Sequence, residues 1–313
     1  MHIPDGFLDA KTAAATGVLA AGGVGVALRH VRRQLPRRKV PLLGLAAAFV
    51  FAVQMLNFPV AGGTSGHLIG GVLTAVLLGP SAAVVVLAAV LIVQCLLFAD
   101  GGVTALGANI FNMGLVGGVA GYAIYRLVSG WSKSLRQKVV AAVFAAWCST
   151  VLASIVCAGE LALSGTVSWS VAFSAMASVH MLIGIGEGLI TALVVVAIAR
   201  ARPDLLESLA EADARPGYAP VLVFGLLISL GLALFVAPFA CSWPDGLEKV
   251  AATLGFEHRA AATPIVASPI PDYALPGIQS AALATALAGV IGTVVVFGVA
   301  FVLARVLVPK ELH

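Results

Sequence analysis

The chain has 313 residues, of which 60% are hydrophobic and only 10% charged, with a formal net charge of +4. Soluble domains carry about 25% charged residues, so this chain has too little polar surface to cover itself in water. The positive charge does not mark a nucleic-acid partner, because the basic residues are confined to stretches between apolar ones.

Apolar stretches recur that are long enough, at about 20 residues, to cross a bilayer core as helices. The polar–apolar alternation of a membrane β-barrel is missing. Nine spans are predicted, at 10–29, 40–57, 68–79, 81–98, 107–128, 138–160, 170–199, 218–240 and 278–305. The third is short and reads as a tilted or partly embedded helix leading through Gly79-Pro80-Ser81 into the fourth. The fold class is therefore an all-α integral membrane protein.

Fifteen of the 18 basic residues fall after spans one, five, seven and nine, leaving only Lys11, Lys249 and Arg259 on the other side. The positive-inside rule makes the basic side cytoplasmic. The N-terminus is then outside and the C-terminus inside. Asp5, Asp9, Asp100, Glu160, Asp245, Glu248, Glu257 and Asp272 all fall on the outer side, a charge that would concentrate cations there.

The hydrophilic stretch 201–217 is the best internal boundary. It divides a seven-span unit, 1–200, from a two-span unit, 218–313, with an outer loop at 241–277. Pro-Asp-Gly occurs both at Pro4-Asp5-Gly6 and at Pro244-Asp245-Gly246; it is also a common turn. Cys95, Cys148, Cys157 and Cys241 form no CxxC pair and read as small hydrophobes.

The chain opens Met1-His2-Ile3-Pro4-Asp5-Gly6 without the basic region of a signal peptide. Met1 is expected to remain the first residue, because methionine removal requires a small second residue. Its α-amine, the amide nitrogen of His2 and Nδ1 of His2 can then close a five- and a six-membered ring around one metal ion. A fourth nitrogen would complete the square plane that suits Ni(II) and Cu(II).

On the same side, the loop 57–67 carries Gly62-Gly63-Thr64-Ser65-Gly66-His67, and a neutral imidazole at His67 could supply that nitrogen. The segment 99–113 brings Asn109 and Asn112, three apart on one helix face. They could orient the N-terminal segment or serve helix packing. In span seven, His180 and Glu187 lie two turns apart beside Gly184, Gly186 and Gly188. They fit a supporting or ion-path role near the metal, an acid–base pair of a membrane enzyme, a metal sensor, or a structural hydrogen bond. Glu257 and His258 read as a solvated loop. No G-x-x-x-x-G-K-[ST] phosphate loop is present, so the chain holds no ATP site of that kind.

Four motifs, in order, resemble the nickel/cobalt substrate-binding components of energy-coupling-factor transporters (NikM/CbiM type). They are Met1 to Leu8, Gly62 to Leu68, Ala99 to Asn112 and His180 to Gly188. The stretch 218–305, with Pro244-Asp245-Gly246-Leu247-Glu248, resembles the nickel-type accessory component (NikN), here fused to the first. The resemblance implies a six-helix core with one extra N-terminal helix, and an ATP-driven importer in a prokaryotic plasma membrane. It implies Ni(II) or Co(II) as cargo, nickel favoured, bound through nitrogens of Met1, His2 and His67. Ser65, Asn109, Asn112, His180 and Glu187 would support or gate that site, and Asp245 and Glu248 would serve from the accessory loop. The partners implied are a transmembrane coupling component and a pair of ATPase subunits.

Overall fold

A computed structural model of the chain describes residues 1–130, 134–206, 217–263 and 265–309. The chain folds as a helical bundle. Helix α1 (Ala10–Gln34) starts at Asp9, whose side chain accepts the Thr12 amide, and ends at two arginines ahead of Pro36. Helix α2 (Val40–Gln54) leads into a short antiparallel hairpin, β1 (Phe58–Val60) and β2 (Thr64–Gly66), paired Phe58 to Gly66 and Val60 to Thr64. Helices α3 (Gly71–Leu78) and α4 (Pro80–Phe98) follow, broken at Gly79-Pro80. Leu106–Asn109, Ile110–Ala120 and Gly121–Ser129 run on as one helix, α5, whose middle is π-helical. Helices α6 (Leu135–Leu163) and α7 (Trp169–Ala201) form the most extensive helix pair. The last elements are α8 (Ala219–Phe239), a short α9 (Gly246–Leu254) that the apolar pattern does not announce, and α10 (Ala281–Leu307), packed on α2.

Six helices among the described residues are long and apolar enough to cross a membrane: α1, α4, α6, α7, α8 and α10. The predicted third span, 68–79, is corrected by the structure. Its helix has eight residues, about 12 Å at 1.5 Å per residue, and cannot cross alone. The chain reaches α3 through residues 67–70, which are not helical and end with Gly70 in the left-handed region. Glu187, midway along the 33-residue α7, accepts the amides of Ile69 (2.5 Å) and Gly70 (2.9 Å), while the Gln54 amide donates to the Ile69 carbonyl at 2.9 Å. Irregular backbone at membrane depth survives only when protein satisfies its polar groups. These side chains satisfy them for a helix that begins in mid-bundle.

Five segments gather at one end of the bundle. The Phe7 carbonyl accepts from Thr166, the Asp5 carbonyl from the Ala261 amide, the Asn57 carbonyl from the Cys241 amide, and the Leu97 carbonyl from the Ile270 amide. The N-terminal segment thus lies among 57–67, 99–105, 164–168 and 241–277. The predicted linker 201–217 lies mostly outside the described residues.

Candidate metal centre

The N-terminal segment is threaded into the bundle. Ile3 is fully buried and Phe7 packs edge-on against Phe256, so two apolar side chains hold a stretch that would otherwise fray. The Ile3 backbone pairs both ways with Asn109: its amide donates to Oδ1 at 2.8 Å and its carbonyl accepts from Nδ2 at 3.1 Å. The same carbonyl accepts the Gly102 amide at 2.8 Å, where the backbones come so close that a Cβ on Gly102 would collide with Asp5. Asp5 Oδ1 receives the amide and hydroxyl of Thr104.

This seating carries Met1 and His2 to His67, and all three are buried. The Met1 amine stands 2.7 Å from His67 Nε2, and the His2 and His67 rings stack with centroids 5.1 Å apart. His67 Nδ1 faces the Leu68 carbonyl at 3.1 Å. A carbonyl can only accept, so the proton sits on Nδ1 and Nε2 presents its lone pair to the amine. A backbone carbonyl holding one imidazole nitrogen so that the other can bind is the usual arrangement of a metal-ligating histidine.

Burial pushes the His2 imidazole below its ordinary range despite the pull of Asp100, leaving it neutral. Its Nε2 lies 3.2 Å from Gln94 Oε1 and its Nδ1 3.2 Å from Asp100 Oδ1, so the ring stands between an amide and a carboxylate. The other Asp100 oxygen accepts the Tyr273 hydroxyl at 2.5 Å. The amine is also paired with Asp245 Oδ2 at 2.9 Å. Burial alone would raise Asp245, but the amine, the Glu248 amide and His67 hold its carboxyl well below the usual range.

The remaining predicted residues take distinct places. Ser65 donates to the Trp243 carbonyl at 2.7 Å, tying β2 to the accessory loop. Asn112 does not reach the N-terminal segment; it donates to Glu160 at 2.7 Å. His180 is anchored by Nδ1 to the Met176 carbonyl at 2.8 Å and lies against Gly246, while Glu187 caps α3, so the two form no acid–base pair. Glu248 closes a capping box with Asp245 at the start of α9. Glu257 and His258 sit in an exposed turn. Sequence reasoning missed Gln94, whose signal was a lone amide in an apolar run, and Tyr273, which gave none.

Among the described residues, no group of three or more His, Cys, Asp or Glu side chains is placed to hold a metal ion.

The family described as the cobalt uptake substrate-specific transmembrane region, CbiM, matches residues 2–205, and the PDGLE domain matches 219–309. The chain belongs to the CbiM family. A chain from Archaeoglobus fulgidus is 40% identical to this CbiM chain over 307 residues, covering 97% of it and 98% of the relative. The fused nickel transport protein NikMN of Rhodobacter capsulatus is 32% identical, with 95% of each chain covered. The cobalt transport protein CbiM of Geobacter sulfurreducens is 32% identical over 82% of this chain and 78% of its own. A crystal structure of a truncated transition metal transporter superposes with a TM-score of 0.59 at 35% identity, over 64% of this chain and 99% of the other. This CbiM chain is thus a multi-pass membrane component of nickel or cobalt transport, and not an enzyme.

Proposed function

We propose that the chain is the substrate-binding component of an ATP-driven energy-coupling-factor importer, and that it holds one Ni(II) or Co(II) ion in a plane of four nitrogens. These are the Met1 amine, the His2 amide nitrogen, His2 Nδ1 and His67 Nε2. The observation that carries the reading is the 2.7 Å between the amine and His67 Nε2. Two nitrogens at right angles on one ion, each about 2.0 Å from it, stand about 2.8 Å apart. Neutral imidazoles and the lack of a side-chain cluster among the described residues support it further.

Nickel is favoured over cobalt because a planar four-nitrogen field suits Ni(II), and because relatives with the same fused organisation are named for nickel transport. The acidic, N-terminal side faces out and the basic side the cytoplasm of a prokaryotic plasma membrane. Residues 1–200 form the binding unit and 218–313 the accessory unit, joined by 201–217. Ser65, Asn109, Asn112, His180 and Glu187 support the site at one remove. With no phosphate loop in the sequence, the motor is a pair of separate ATPase subunits acting through a transmembrane coupling component. Reprotonation of the His2 amide would assist inward release, since metal ligands must be deprotonated.

The test replaces His2 with Gln, a second residue large enough to keep Met1 in place. The substitution removes the imidazole that closes the six-membered ring without touching a helix. Nickel binding to the purified chain and uptake in cells with the partner subunits should both be lost; normal uptake would overturn the reading. Binding retained without any uptake by the wild type would point instead to a sensor.

A further inference from the structure

Beside the Tyr273 contact to Asp100, the accessory unit brings to the proposed metal site a short segment, 243–245, that grips both halves of it. Asp245 Oδ2 pairs with the Met1 amine at 2.9 Å. The two preceding carbonyls hold β2. Pro244 accepts the Ser65 amide at 2.8 Å and the Thr64 hydroxyl at 3.1 Å, and Trp243 accepts the Ser65 hydroxyl at 2.7 Å. Ser65 is two residues from His67, the partner of that amine. The segment has no room to slide, because Gly246 is pressed against the His180 ring and Ile183 so closely that a Cβ would crowd both. The Asp245 side chain is fixed as well: its Oδ1 accepts the Glu248 amide at 2.9 Å in the α9 capping box, which aims Oδ2 at the amine.

We propose that Asp245 is a positioning residue for the metal site, through which the accessory unit sets the distance and aim of the Met1 amine relative to His67 Nε2. The inference rests on the reading of Met1, His2 and His67 as ligands. A chain terminus is ordinarily the least ordered part of a fold. An amine that had to find its place only on meeting the ion would lose that ordering free energy from binding. A metal-bound amine keeps two N–H bonds, so one can still donate to Asp245 while the lone pair faces the ion. The contact therefore serves the metal-free and the loaded site alike, as carboxylates do for ligating histidines. Fusion of the two units keeps this contact within one chain.

The test uses the full chain, purified in detergent. Asp245→Ser keeps an oxygen to cap α9 but is too short to reach the amine. Asp245→Asn keeps cap and reach but loses the charge. Two quantities are read. One is the rate at which an amine-selective acylating reagent modifies Met1 in metal-free protein, followed by mass spectrometry of the N-terminal peptide. The other is Ni(II) affinity, by competition with a chromophoric chelator. For Asp245→Ser, acylation should quicken by about tenfold or more and the Kd for Ni(II) should rise about 10- to 100-fold, the effect typical of a lost outer partner. Asp245→Asn should fall between this and the wild type. The visible ligand-field band of bound nickel should keep its position, because the four nitrogens are unchanged. The proposal is overturned if both quantities stay within about twofold of the wild type, or if one moves without the other. Absence of a planar four-nitrogen band in the wild type would remove the ligand reading instead, and acylation would still decide whether Asp245 anchors Met1.

Discussion

Glu187 accepts the Gly70 amide at 2.9 Å, and so fixes where α3 begins and where the non-helical stretch leading back to His67 ends. The second carboxylate oxygen takes the Ile69 amide. One side chain in the middle of α7 thus sets the depth of the broken segment and, three residues earlier, the height of the imidazole.

Replacing Glu187 with Ala leaves two buried amides without an acceptor. At about 1–3 kcal/mol for each stranded group, the variant should unfold several degrees lower than the wild type in detergent. Glu187→Gln retains one acceptor oxygen but turns an NH2 against the second amide, and should recover less than half of the loss. Thermal unfolding followed by circular dichroism checks both, and an unchanged midpoint for Glu187→Ala would show that the carboxylate is not the cap.

In the proposed site His67 contributes an imidazole nitrogen that no backbone group can replace. His67→Ala should weaken Ni(II) binding beyond the roughly 10- to 100-fold expected for loss of an outer partner. His67→Gln should be no better, although its carbonyl can still accept from the Met1 amine. Isothermal titration on the purified variants decides; affinity close to that of the wild type in either would exclude His67 as a ligand.

Asn109 matches the Ile3 backbone as donor and acceptor at once. Asn109→Leu strands the buried Ile3 amide, at a cost of about 1–3 kcal/mol, and should release the N-terminal segment. Asn109→Asp keeps the acceptor and should be milder. Faster acylation of Met1, together with weaker nickel binding, is the expected pair of observations.

Binding by an amine and a deprotonated amide expels two protons, so affinity should fall steeply on acidification. Two protons correspond to about a hundredfold per pH unit wherever both groups are protonated in the metal-free site. His2 adds nothing between pH 7 and its own depressed pKa, since it is already neutral there. The sign is weaker binding at lower pH. It is checked by titrating nickel at about pH 6.5 and 5.5 and by measuring proton release in buffers of different ionisation enthalpy. A slope near one proton would show that the His2 amide stays protonated.

Much of this protein is legible in its amino-acid sequence alone. Apolar runs place the helices, because a segment in hydrocarbon must be hydrophobic over most of its length. Arg and Lys, being costly to translocate, carry the expectation of which loops face the cytoplasm. Met1-His2 offers both rings of the proposed chelate within two residues, a local geometry that needs no fold. Whatever depends on depth and contact is decided elsewhere. Residues 67–70 read as the start of a helix, since hydropathy does not register the Glu187 carboxylate that makes a non-helical path tolerable at mid-bundle. Asn109 and Asn112 look alike along the chain, yet α5 turns the first toward Ile3 and the second toward Glu160. Asp245 lies more than 240 residues from Met1, and still the two make an ion pair. Composition and periodicity report the solvent each residue must face, whereas partners are chosen by packing, and only the folded chain brings them within 3 Å.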